Sequence, residues 1–144
     1  MHGPVKPVSS IEANHAIQLS PKRSQQYLHA RGNVREALSE LWKVPALDIP
    51  LDAPPGEPPK LAKGWGYISF SHCCDRLLLG WSPKAIGVDI ERSDRVFKAE
   101  QVSRRYFSTK ETQKLAKFSG EKLRTSVLEH WVTKEAAIKW QRGT

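Results

Sequence analysis

Apolar positions recur at helical spacing from about residue 20 to 42, at strand spacing from 65 to 91, and at helical spacing again from about 99 to 140. Residues 1–19 show no clear periodicity, which predicts a loose beginning. Ser20-Pro21 has the form of an N-cap followed by proline at the first helical position. The helix it opens should run to about Trp42, with Tyr27, Leu28, Val34, Leu38 and Leu41 as its core stripe. The stretch 45–60, PALDIPLDAPPGEPPK, holds six prolines and must be an extended loop. WGYISFS (65–71) and RLLLGWS (76–82) read as two strands of a hairpin turning at Cys74-Asp75, and IGVDIE (86–91) as a third strand. After Glu91 the pattern becomes helical. A short helix is expected near 99–106, and a second from Thr109, where Ser108 and Glu111 have capping-box spacing. A long final helix should cover about Gly120 to Trp140, with Val127, Leu128, Trp131, Val132 and Ile138 along its apolar stripe.

Two places break this pattern. In IGVDIE, the β-branched Ile86, Val88 and Ile90 share one strand face, and Asp89 and Glu91 share the other with Gly87. Two carboxylates would then point the same way, roughly 6.5–7 Å apart at the backbone. Both ionised, they repel by about 2.5 kcal/mol at an effective dielectric near 20. A solvated polar face tolerates that; so does a hard divalent cation such as Mg²⁺, which takes one or two carboxylates together with a phosphate. In the final helix, Glu135 lies seven residues after Leu128 and four after Trp131, on a stripe that should be apolar. An ordinary pair with Lys139, four residues on, explains it. A metal shared with Asp89 and Glu91 explains it too, with nearby lysines on the phosphate oxygens.

The 144 residues suffice for one domain with a real core. No apolar run reaches membrane-spanning length, and the first ten residues, MHGPVKPVSS, lack the form of a signal peptide. Cys73 and Cys74 are adjacent, unsuited to a mutual bridge and without zinc-ligand spacing, so they read as packing residues of a protein in a reducing, cytoplasmic compartment. The formal charge is +8, and residues 92–144 carry 13 basic against 6 acidic side chains. Such a surface attracts anions: nucleic acid, a membrane surface, a phosphorylated small molecule or an acidic protein. No aromatic platforms interleave with the charges and no nucleic-acid module signature is visible, which argues against nucleic acid.

IGVDIER (86–92), FSTKE (107–111) and WVTKEAAIK (131–139), in that order, resemble the signature of the 4′-phosphopantetheinyl transferases, G-[VI]-D-[IVL]-E, F-[ST]-x-x-E and W-x-x-K-E-A-x-x-K. Each is weak alone; the ordered set is specific. ISFSHC (68–73) is similar to the family's S-H segment, and Arg31 and Arg35 to the paired arginines of its first-lobe helix. The likeness to the long, single-chain type spans about 21–140.

The resemblance implies an α+β fold of two similar lobes, here 1–85 and 86–144, with coenzyme A and Mg²⁺ in the cleft between them. The long type continues beyond its K-E-A helix, so the second lobe is expected to be incomplete at Thr144. The implied activity is that of a holo-[acyl-carrier-protein] synthase. The phosphopantetheine arm of coenzyme A moves to a serine of an apo acyl or peptidyl carrier protein, releasing adenosine 3′,5′-bisphosphate, and the enzyme acts as a monomer. The alternatives are a non-catalytic binder of coenzyme A or of an acidic protein, and a basic nucleic-acid-binding domain. In the transferase, Asp89, Glu91 and Glu135 would hold Mg²⁺, and Glu135 would also accept the serine proton. Lys139 and Lys134 would neutralise the diphosphate, and Ser71, His72, Arg35 and Arg31 would hold the 3′-phosphate. Glu57 stands where the family usually has a lysine, leaving Lys60 to take that place. The basic second half would dock the acidic carrier. The resemblance leaves open which carrier, whether of fatty-acid or secondary metabolism, is preferred.

Overall fold

Residues 3–143 are described by a computed structural model. In chain order they form α1 (Ser10–Ile17), α2 (Pro21–Trp42), β1 (Leu51–Asp52), β2 (Lys60–Leu61), β3 (Tyr67–Cys73), β4 (Arg76–Ser82), α3 (Ala99–Tyr106), α4 (Thr109–Leu115) and α5 (Gly120–Arg142). Helices and strands are thus mixed, as an α+β chain requires. No described helix is long and apolar enough to cross a membrane.

The beginning of the chain is more ordered than its lack of periodicity suggests. Ser9 and Glu12 close a capping box: the Ser9 hydroxyl accepts from the Glu12 N–H at 3.2 Å and the Glu12 carboxylate from the Ser9 N–H at 2.8 Å. Ahead of it, the chain crosses α2 at Gly32, where an added Cβ would meet Lys6 at 2.8–2.9 Å. The start and end of α2 follow the expected bounds, although the Ser20 side chain caps nothing and Lys43, at φ 56°, ends the helix in the left-handed region. Val34 and Leu38 are fully buried, but Leu41 is 54 % exposed. Trp42 packs in its place, edge-to-face on Trp65 and Trp81 at 5.0 and 5.8 Å.

β3 and β4 pair antiparallel from Tyr67↔Ser82 to Cys73↔Arg76, and the two residues left over, Cys74 and Asp75, make the turn at the expected place. Alternation sorts the hairpin into two faces. Ile68, Phe70, Leu77 and Leu79 pack on Val34 and Leu38 of α2, with Ile49, Leu51 and Leu61 from the proline-rich loop closing the cluster. Ser69, Ser71 and Cys73 look the other way, toward residues 86–91.

IGVDIE is not a third strand; no backbone ladder includes it. It crosses the hairpin with side chains taking the bonds a ladder would use. Ser69 Oγ accepts from Val88 N–H at 3.1 Å, Ser71 Oγ donates to Asp89 at 2.7 Å, and Cys73 Sγ donates to Glu91 at 3.0 Å. The expected face alternation holds over residues 86–88, while Asp89 and Glu91 reach back to the hairpin through Ser71 and Cys73. Ile86 and Val88 lie over Gly80, where an added Cβ would come within 2.9 and 2.8 Å of them, while Gly87 lies against Ala136 and Trp140 of α5. The order of layers is therefore α2, hairpin, segment 86–91, α5.

The second core gathers Phe107, Leu115 and Val127, with Phe97, Val102, Phe118, Leu123 and Trp131 around them, and is built from α3, α4, α5 and the turns that flank them. The hairpin of the first half has no counterpart among the described residues of 86–143. As expected, α4 opens with the Ser108–Glu111 capping box. Along α5, Val127 and Leu128 are buried as the stripe requires, whereas Ile138 is 45 % exposed.

Candidate active site

Segment 86–91 brings the first carboxylate of the pattern break to a junction of three elements. Asp89 accepts from Ser71 Oγ of β3 at 2.7 Å and from Lys139 Nζ of α5 at 2.6 Å. Its side chain is 11 % exposed. Residues 18 and 50 positions away in sequence thus meet on one oxygen, Oδ1. Beside this junction opens a cavity of about 310 Å³ lined by Tyr27, Arg31, Phe70, Ser71, His72 and Lys139, among others. Four of the residues singled out from the sequence, Arg31, Ser71, His72 and Lys139, share that wall.

Arg31 lies over two aromatic rings, its guanidinium carbon 5.0 Å from the Tyr27 ring centre and 4.7 Å from that of Phe70. Nη2 donates to the Ala53 carbonyl at 3.2 Å, and Nε is buried with no protein partner. An unmatched donor of this kind is costly unless a ligand supplies an acceptor. Sequence reasoning missed Tyr27 and Phe70 as parts of the site. Tyr27 stands four residues before Arg31 on α2, and that spacing was the available signal.

Arg35 is not in this cavity. It is 3 % exposed and its donors are used elsewhere. Nε meets Glu12 at 2.7 Å, Nη1 meets the carbonyls of Ile49 and Ala46 at 3.1 and 3.3 Å, and Nη2 that of Leu51 at 3.4 Å. It organises the proline-rich loop and pins α1 to α2. Lys60 is exposed in β2 opposite Asp52, also outside the cavity.

Glu91 is turned to other partners. Burial would raise its pKa, but the Cys73 thiol, the Arg92 N–H and the Arg95 guanidinium all donate to it and hold it below the usual carboxylate range. Cys73 and Cys74 are free thiols with sulfurs 4.0 Å apart.

Lys134 donates to both oxygens of Glu111, at 2.8 and 3.2 Å, and lies 5.2 Å from the centre of the Phe107 ring. The ammonium of Lys134, with the Ser108 N–H and hydroxyl, lowers the Glu111 carboxyl to about 2. Glu135 is half-buried on α5 between Lys134 and Lys139. The expected three-carboxylate set is not gathered: the described residues contain no group of three or more His, Cys, Asp or Glu placed to hold a metal ion. The reason is local charge balance, since Lys139 draws Asp89 and Arg95 draws Glu91.

These motifs have a counterpart among known proteins. Residues 85–144, which carry Asp89, Glu91, Glu111, Lys134, Glu135 and Lys139, match the family model described as 4′-phosphopantetheinyl transferase superfamily. No curated protein matches the chain.

Proposed function

We propose that the protein transfers the 4′-phosphopantetheine arm of coenzyme A to a serine of an acidic apo carrier protein, with Mg²⁺ as cofactor. The observation that carries this reading is the Ser71–Asp89–Lys139 junction on the wall of a cavity that also presents Arg31 and His72. It brings two superfamily motifs against an anion-binding surface supplied by the first half of the chain.

The metal is the part most in need of a fit. Mg²⁺ typically takes one or two carboxylates and fills its remaining positions with phosphate and water. Asp89 and Glu91 meet that requirement in chemistry and burial. Glu135 belongs to the facing helix. Gly87 lies against Ala136 and Trp140, while Arg124 of α5 donates to the carbonyls of Ser93 and Arg95 at 2.8 and 3.1 Å. The segment therefore runs antiparallel to α5. At ~3.3 Å per extended residue against ~1.5 Å per helical one, Asp89 comes opposite the turn that carries Glu135, and Glu91 more than a turn nearer the start of the helix. When bound, the metal would neutralise diphosphate charge as the bond breaks.

The chain's own groups do the rest. Arg31 and His72 hold a terminal phosphate, Arg31 through the donor that now lacks a partner. Lys139 stands at the edge between cavity and carboxylates, placed to exchange Asp89 for a diphosphate oxygen. Glu135 accepts the proton of the attacking serine, directly or through water. Catalysis of this kind is mostly positioning and charge neutralisation. The basic helices after Glu91 steer the acidic carrier.

A second reading is favoured by the charge balance already noted: Lys139 pairs with Asp89 and Arg95 with Glu91, so each carboxylate of segment 86–91 already has a cation. That suits a coenzyme A binder without transfer chemistry. Incubation with an apo carrier protein, coenzyme A and Mg²⁺, followed by mass analysis, separates the two. A phosphopantetheine mass increase on the carrier is expected. Coenzyme A binding without that increase would establish the binder instead.

A further inference from the structure

Two ion pairs grip α5 on either side of Glu135. On one side Lys139 reaches Asp89 of segment 86–91 at 2.6 Å; on the other Lys134 reaches Glu111 of α4 at 2.8 and 3.2 Å. At ~100° per helical residue, Lys134 and Lys139 point about 140° apart around the axis, and Glu135 projects between them. The Glu111 end of the second pair is itself fixed. The same carboxylate accepts from the Ser108 N–H at 2.7 Å and closes the capping box that starts α4. The Lys134 end rests over Phe107, which is buried in the second core.

We infer that Glu111 is a positioning residue: acting through Lys134, it sets the rotation of α5 and so the direction in which Glu135 faces the carboxylates of segment 86–91. This rests on the transferase reading above. It also reassigns Lys134 from a phosphate ligand to a strut. The apolar anchors of α5 all lie before Glu135: Val127 and Leu128 about two turns earlier, and Trp131 one turn earlier, edge-to-face on Tyr106 at 5.0 Å. Gly87 touches mainly helix backbone and offers no side-chain grip. The Glu111–Lys134 pair adds a charged, directional constraint within one residue of the proposed proton acceptor.

The substitutions that isolate this are Glu111→Gln, which keeps a side-chain acceptor for the capping box but removes the charge, Lys134→Met, and the two together. The cycle is read in transfer kcat, in KM for coenzyme A, and independently in coenzyme A affinity by calorimetry with Mg²⁺ present. A strut predicts that each single change lowers kcat about tenfold with KM moved less than twofold. The double variant should be no worse than the poorer single one, and Lys134→Arg should recover most of the rate. In the calorimetric arm, affinity should change little, and equally, in all three. If Lys134→Met weakens coenzyme A binding tenfold or more while Glu111→Gln does not, Lys134 is a phosphate ligand and the inference is overturned. Additive losses in the double variant overturn it as well. Absence of transfer by the wild-type chain would count against the transferase reading, and the affinity cycle would still decide between strut and ligand.

Discussion

Replacing Gly87 by alanine tests whether the chemistry depends on how closely segment 86–91 is seated on α5. Gly87 needs no unusual backbone conformation, so the effect is one of space. An added Cβ would lie 2.5 Å from the Trp140 N–H nitrogen, 2.9 Å from Trp140 Cβ and closer still to the Ala136 carbonyl oxygen. An ordinary contact at that carbonyl needs more than 3.4 Å. Both obstacles are helix backbone, which cannot swing aside as a side-chain end does, so segment or helix must retreat by an ångström or more. Overpacking of this kind costs about 1–3 kcal/mol, and backbone contact places Gly87→Ala at the upper end. At ~2–4 °C per kcal/mol for a domain of about this size, the melting temperature should fall by about 6–12 °C. Gly80→Ala is the control. Its Cβ meets side chains rather than backbone, chiefly Val88 Cγ1 and Ile86 Cδ1 at 2.8 and 2.9 Å. It should cost about 1 kcal/mol. Retreat of the segment would also pull Asp89 away from Lys139, so transfer should fall at least tenfold in Gly87→Ala and much less in Gly80→Ala. Melting by circular dichroism and the carrier-protein mass assay read the two effects. A Gly87→Ala protein as stable and active as Gly80→Ala would refute the seating of the segment between hairpin and helix.

Asp89→Asn keeps the shape and the Ser71 hydrogen bond but removes the charge, so transfer should drop at least a hundredfold while the circular dichroism spectrum is unchanged; retained activity at any Mg²⁺ concentration would remove Asp89 from the site. Arg35→Met leaves the buried Glu12 carboxylate unpaired and should destabilise by about 3–5 kcal/mol in chemical denaturation, with no selective loss of coenzyme A affinity in the protein that remains folded. The Glu12 carboxyl also gives a pH signature: burial would raise its pKa, but the Arg35 and Ser9 hydrogen bonds outweigh that and lower it. Its contribution to stability is therefore present above pH ~4.5 and is lost as the pH falls through the lower folded value, so wild type should lose stability relative to Glu12→Gln in denaturant titrations below pH 4.5. Glu111, lowered to about 2, follows the same sign over a wider window and should keep its charge down to about pH 2, so the difference between wild type and Glu111→Gln should be constant from pH 5 to 8.

Much of the architecture could be read from the sequence because its signals were local. The Ser108–Glu111 capping box places the start of α4 to the residue, and the two-residue turn at Cys74-Asp75 places the hairpin. The same capping spacing occurs at Ser9 and Glu12, but no apolar period follows it in the short α1, so the pattern alone does not announce a helix there. The failures depended on partners remote in sequence. IGVDIE has the alternation of a strand, which holds over residues 86–88, but whether a segment joins a ladder depends on what lies beside it. Here hydroxyl groups of β3 and the backbone of α5 occupy both sides. Arg35 carries the same local signal as Arg31, and the difference between them is Glu12, 23 positions earlier, which claims one and not the other. Asp89 and Glu91 were singled out for their like charge, yet the cations that balance them, Lys139 and Arg95, come from a distant helix and a following turn.

The division of the interior into two cores has a consequence for how the molecule opens. The cluster around Val34, Leu38, Ile49 and Ile68 and the cluster around Phe107, Leu115 and Val127 have no residue in common. Segment 86–91 runs between the hairpin and the long helix and touches both. Hydrogen exchange would see the two clusters as one cooperative unit only while that segment stays seated. Once it lifts, the amides of α3 and α4 should exchange by an opening that leaves β3 and β4 protected. A ligand gripping Asp89 and Lys139 together would then slow exchange at sites far from its own contacts, by fusing two foldons into one.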